Sequence, residues 1–154
     1  MQEASSDSGD YPEHLESFCT AVTVSPDYGS FHITMYGGWS LNDGRSYETV
    51  YILSIPSFVW IDVTDLSNKT NAEQQVNETI GRNSPSCQTY NGAQMMVLGG
   101  QIRAGAYDLT DQACSQVLAP VRALDLSTYH WQTSFDPSIT YQVPPAIYKI
   151  IGGK

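Results

Sequence analysis

Charge is scarce in this chain of 154 residues: Asp, Glu, Lys and Arg make up only 15% of it, against about 25% in a typical soluble domain. Basic charge is scarcer still. Seven Lys and Arg face sixteen Asp and Glu, giving a formal net charge of −9 and a pI near 4.4. A phosphate backbone needs clustered cations, so nucleic acid is not an expected partner. The three cysteines, Cys19, Cys87 and Cys114, are too few for a disulfide-dense mini-protein, and their number is odd. No apolar run approaches the roughly 18 residues of a membrane span, and the acidic opening MQEASSDSGDYPEH lacks the apolar region of a secretory signal. No long stretch shows a 3.6-residue period, which argues against a helical bundle. Gly-x-Ser-x-Gly is absent, and His14, His32 and His130 form neither a ligand-spaced pair nor a cluster with cysteine. The chain is therefore expected to have no catalytic residues, no metal site and no cofactor.

Its hydrophobic content of 41% is enough for a packed core, and ten Tyr and twelve Gly stand out. Short alternating runs broken by turn signals define an all-β chain. Residues 1–16 read as a disordered acidic N-terminal segment. Residues 17–65 hold four strands: SFCTAVTVSP (17–26), FHITMYGG (31–38), TVYILSIPS (49–57) and FVWIDVTD (58–65). Residues 66–84 are a polar loop, with one or two helical turns at most in NAEQQVNET. Residues 85–135 hold four more strands, SCQTYNG, AQMMVLGG, VLAPVRALDLST and HWQTSF, with a long loop over 101–116. Residues 136–154 form a proline-rich C-terminal tail.

The two four-strand units are a repeat. Ile33-Thr34-Met35-Tyr36-Gly37-Gly38 matches Met95-Met96-Val97-Leu98-Gly99-Gly100, and a later strand ends each unit at Trp60 or Trp131. A glycine doublet at a strand end permits a tight turn, and an indole downstream can fill the space between sheets. A unit apolar on both faces needs similar neighbours. The pattern ITMYGG…TVYILSIPSFVW and MMVLGG…VRALDLSTYHW resembles the kelch repeat of β-propeller proteins, with Arg82 and Ser84 similar to the family's lead-in to the glycine strand. The tail TYQVPPAIYKIIGG resembles the last blades of fungal kelch proteins, in which a membrane or wall anchor often follows. Tyr51 falls opposite Ala123 in this alignment, leaving the second unit one aromatic short.

That resemblance implies a partial kelch β-propeller of two four-stranded antiparallel blades, with Gly37, Gly38, Trp60, Gly99, Gly100 and Trp131 as structural residues. Propellers use roughly four to eight blades, so the chain is expected to be a fragment of a longer one. Its open faces would favour self-association; packing of the two units as a β-sandwich-like domain is the alternative. A membrane is expected to enter only through sequence outside this chain. The implied function is a non-catalytic module, on an extracellular or cell-surface protein, that binds protein or carbohydrate. Trp39, Tyr47, Arg103 and Tyr107, in the loops after the glycine doublets, are its candidate ligand residues; packing of those loops on the scaffold is their alternative role. A fragment of a galactose-oxidase-like copper enzyme, or a structural wall or adhesion component, are the other readings. No residue here matches that copper site.

The strand start at Cys87 and the loop holding Cys114 lie at the same end of an antiparallel meander, so a Cys87–Cys114 disulfide is expected, two free thiols being the alternative. Cys19 is then left over. Asn68-Lys-Thr70 and Asn77-Glu-Thr79 are glycosylation sequons, consistent with an outward-facing protein. Asp27, Asp43 and Asp108 read as turn residues rather than calcium ligands.

Overall fold

The computed structural model describes residues 5–6 (as backbone), 11–66, 81–102 and 121–152. The fold is all-β. In chain order the strands are β1 (Ser5–Ser6), β2 (Leu15–Glu16), β3 (Cys19–Val24), β4 (Phe31–Tyr36), β5 (Trp39–Ser40), β6 (Val50–Ile55), β7 (Val59–Asp62), β8 (Ser86–Tyr90), β9 (Gln94–Leu98), β10 (Val121–Asp125) and β11 (His130–Gln132). They form a five-stranded sheet ordered β1-β7-β6-β4-β3, a four-stranded sheet ordered β11-β10-β9-β8, and the small pair β2-β5. The larger sheets are each an antiparallel meander, to which β1 adds a parallel edge on β7. Among the described residues they do not close into a barrel. No helix among those residues is long and apolar enough to cross a membrane.

Alternation dictates the packing. In β3 every second residue is buried, Cys19, Ala21 and Thr23, and the residues between are exposed. The buried set continues across the sheet through Thr34, Tyr36, Ile52 and Ile61. Opposite it lies one face of the second sheet, with Met95, Val97, Leu124 and Trp131. Tyr36 meets Trp131 edge-on at 5.1 Å between ring centres, and the Thr34 and Tyr129 hydroxyls are 3.1 Å apart. One core therefore serves both sheets, and each sheet keeps a second face turned outwards.

Register confirms the internal duplication and corrects one detail of it. Ile33 pairs with Leu53, and Leu53 with Trp60. In the second sheet Met95 pairs with Leu124, and Leu124 with Trp131. On the same ladders Met35 faces Tyr51, and Val97 faces Arg122. The counterpart of Tyr51 is thus Arg122, not Ala123. Its guanidinium lies 3.8 Å from the centre of the Trp131 ring, so a cation–π stack stands in the aromatic's place.

The glycine doublets turn as the sequence requires: Gly37, Gly38, Gly99 and Gly100 all have φ between 61° and 103°. Asn91 and Gly92, both at positive φ, make the tight turn between β8 and β9. Two parts of the chain differ from expectation. Short strands β1 and β2 occur within 1–16, the segment read as disordered. The proline-rich tail ends in a helix, Pro145–Ile151, whose Ile147 is buried in the shared core. A proline in the first turn, where its missing N–H costs nothing, starts that helix.

The cysteine pairing also differs. Cys19 bonds Cys87, with the Cα atoms 5.6 Å apart. The expected Cys87–Cys114 bridge is overturned, because Cys87 is already taken. The reason is the packing of sheet on sheet: Cys19 opens β3 and Cys87 lies second in β8, the first strands of their units, and these strands pack against each other where the sheets meet. An argument confined to one meander could not see that neighbour. Cys114, both sequon residues Asn68 and Asn77, Arg103, Tyr107 and Asp108 lie outside the described residues.

Candidate functional site

The sheet pair has two ends, and each gathers polar and aromatic side chains. At the glycine-doublet end, the chain leaves Gly38 into a hairpin. Tyr47 N–H donates to the Gly38 carbonyl at 2.8 Å and Ser40 N–H to the Arg45 carbonyl at 3.1 Å. Asn42-Asp43-Gly44 turns it, with Arg45 N–H bound to the Asp43 carboxylate at 3.1 Å. The Tyr47 hydroxyl donates to the other Asp43 oxygen at 2.8 Å. That bond, which would be lost on ionisation, together with nearby Glu13 pushes the phenol up to about 12. The same contacts hold the Asp43 carboxyl below its usual range, the Arg45 N–H bond contributing most. Trp39 pairs through its backbone with Glu16 on one side and bridges Ser46 on the other. Trp39 and Tyr47, two of the four expected ligand residues, are thus brought together on one hairpin. Both are partly buried, while Leu41 at the tip is 62% exposed. Glu13, Tyr47, Thr49 and Tyr51 line a shallow notch beside it.

Arg82 anchors this end and is fully buried. Its carbonyl accepts the Gly38 N–H at 2.8 Å, and its guanidinium donates to the Gly99 carbonyl at 2.8 Å. One residue therefore ties the doublet of the first unit to that of the second. A Cβ on Gly37 would stand 2.5 Å from the same Arg82 carbonyl. Ser84, expected as part of the lead-in, gives its N–H to the Ser17 carbonyl at 2.7 Å.

At the opposite end, the turn between β3 and β4 carries a serine–histidine pair absent from the sequence reading. The Ser30 hydroxyl is 3.1 Å from His32 Nε2, and His32 Nδ1 is 2.7 Å from the Tyr141 hydroxyl. Burial lowers the His32 pKa and raises that of Tyr141 to about 12. The order hydroxyl, imidazole, phenol has the outline of an activated nucleophile. The donors an oxyanion would need are spent, however. Gly29 N–H binds the Asp27 carboxylate at 3.0 Å, and Ser30 N–H binds the Ser25 hydroxyl at 2.9 Å. The arrangement locks the turn and the tail to the sheet. The signal available in the sequence was the Ser30-x-His32 spacing, which puts both on one strand face; Tyr141 was too distant to connect. A cleft of about 370 Å³ runs past this turn, bordered by Asp27, Ser30, Pro56, Val143 and Tyr148. Asp27 and Asp43 are turn residues, each capping the N–H two positions on.

Among the described residues no three His, Cys, Asp or Glu gather as a metal site. Compared with known proteins, the chain matches no family model and no curated sequence. The Cys19–Cys87 bond belongs to the chemistry of an oxidising compartment.

Proposed function

We propose that the chain is a non-catalytic binding module of the kelch-propeller kind, part of a longer propeller at the cell surface, and that it holds a protein or carbohydrate ligand at its glycine-doublet end. The observation that carries this reading is the hairpin 39–47. Trp39 and Tyr47 stand at the two ends of a loop fixed by backbone bonds, and the Tyr47 phenol has the Asp43 carboxylate bound to it and Glu13 close by. A flat aromatic ring beside carboxylate acceptors suits a sugar's face and hydroxyls, or a basic side chain. The fixed backbone keeps the ordering cost of binding low.

The doubled meander and its head-to-tail packing support the kelch resemblance, since a propeller is such packing continued. The interblade disulfide and the sequons fit an extracellular location. The test is a glycan array and a protein-ligand pull-down with the intact chain, repeated with Asp43→Asn and Trp39→Ala. Binding that falls at least about tenfold in both variants, with stability unchanged, supports the reading. Binding untouched by either variant, or absent from both screens, overturns it.

A further inference from the structure

The outward face of the first sheet is, residue for residue, the face by which the second sheet docks. The docking set of the second sheet is Met95, Leu124 and Trp131, consecutive partners across three strands and essentially without exposure. The matching set in the first sheet is Ile33, Leu53 and Trp60, consecutive partners in the same order. These three are only partly buried. Around them the face continues with Val22, 51% exposed, Val24, and Phe31, 45% exposed. A contiguous apolar surface of this kind marks an interface.

The other half of that interface is also present. The first sheet receives its neighbour with Tyr36, Val50 and Thr34. The register equivalents in the second sheet are Leu98, Val121 and Met96, on the face turned away from the core. Leu98 and Val121 pair with each other and are 38% and 49% exposed. Gln94, Ala123 and Asp125 on that face, and Met35 and Tyr51 on the first sheet's, are already buried, so the molecule carries a partly open copy of each side of an interface it forms internally.

We infer that a second copy of this chain covers the first sheet's outward face, laying the outward face of its own second sheet there in the geometry of the internal packing. The contact is heterologous, so it propagates until it closes. Rings of roughly four to eight sheets correspond to about two to four copies. The inference concerns the 154-residue chain by itself; within a longer propeller, further sheets of the same polypeptide would take the second copy's place. It rests on the repeat of sheet on sheet and is independent of what hairpin 39–47 binds, so a failed ligand screen leaves it standing.

The experiment is sedimentation equilibrium on the intact, oxidised chain and on two double variants, Val22→Glu/Val24→Glu on one face and Leu98→Glu/Val121→Glu on the other. All four residues are exposed, and far-UV circular dichroism together with the intact Cys19–Cys87 link checks the fold. The wild type is expected at a multiple of 17.0 kDa. Each variant alone is expected to be weakened on the order of 100-fold, since a charge would be buried unpaired. Mixed in equal amounts, the two variants should form a discrete pair, each supplying its intact face. A wild type that stays monomeric over the accessible concentrations overturns the inference, and that measurement stands even if a variant fails to fold. An association abolished by the first variant and untouched by the second also overturns it, because it would mean a symmetric pairing of first-sheet faces.

Discussion

Trp60 and Trp131 occupy the same place in two copies of one pattern, yet they live in different surroundings. Each ends a meander, and each pairs across the ladder with a leucine that pairs in turn with Ile33 or Met95. Trp131 is 2% exposed, closed in by Tyr36 and Arg122. Trp60 is partly open, and no further sheet among the described residues lies against it. The repeat therefore specifies a sheet with two working faces, whereas the described residues set another sheet against only one face of each. What a residue contributes here depends on which side of the pair its sheet stands.

Substitutions at equivalent positions break that equivalence in a measurable way. Trp131→Ala removes a sealed indole and its stack, and should cost about 3–5 kcal/mol in denaturant unfolding; Trp60→Ala should cost less, about 2 kcal/mol, since part of its surface already meets water. Equal losses would mean that the two faces are equally covered. The glycine doublets offer a second contrast. Alanine at Gly99 meets nothing within 4 Å and pays only for its positive φ, about 1–2 kcal/mol. Alanine at Gly37 runs into the Arg82 carbonyl as well, and should lose about 2 kcal/mol more.

Arg122 sharpens the comparison where the units diverge. Burial raises the Glu48 pKa, and the Arg122 charge works against that rise. Arg122→Met should cost about 1–2 kcal/mol through the lost stack on Trp131 and lift the Glu48 pKa further, which carboxyl-resolved NMR titration would show. An unchanged Glu48 titration would mean the two groups do not interact.

The smallest expected effect concerns His32, whose counterpart in the second sheet is Gln94. The folded protein holds His32 neutral because burial lowers its pKa below the ordinary 6.5. The unfolded chain then takes up more protons as pH falls through 6.5, so this part of the stability is complete above that value and declines below it. His32→Gln should flatten the stability profile between pH 5 and about 7. A profile that keeps its slope would assign it to other groups.

Much of this fold was legible because period-2 alternation, Asn-Gly and Gly-Gly signals act locally. The strands around ITMYGG and MMVLGG and the turns at Asp27, Asp43 and Gly92 all follow from neighbours in sequence. What escaped depended on contacts between segments. The Cys19–Cys87 bond needs the packing of sheet on sheet, Arg122 on Trp131 needs the register of β10 against β11, and His32 against Tyr141 needs the tail docked on the first sheet. Local alignment placed Tyr51 opposite Ala123, and a one-residue slip in a strand exchanges its faces; the ladder restored Arg122. The C-terminal helix is seven residues long with prolines at its start, too short to show a period. Of the candidate site, Trp39 and Tyr47 were chosen from loop position alone. Their shared hairpin and the Asp43 contact required the structure.

Peptide mapping of the unreduced protein by mass spectrometry tests the sheet-on-sheet arrangement most directly, since the first strands of the two units must run side by side for their cysteines to meet. The expected result is a linked pair of peptides containing Cys19 and Cys87, with Cys114 in neither. A Cys87–Cys114 link would contradict it, confining the bond to one unit and removing the tie on which the paired sheets depend.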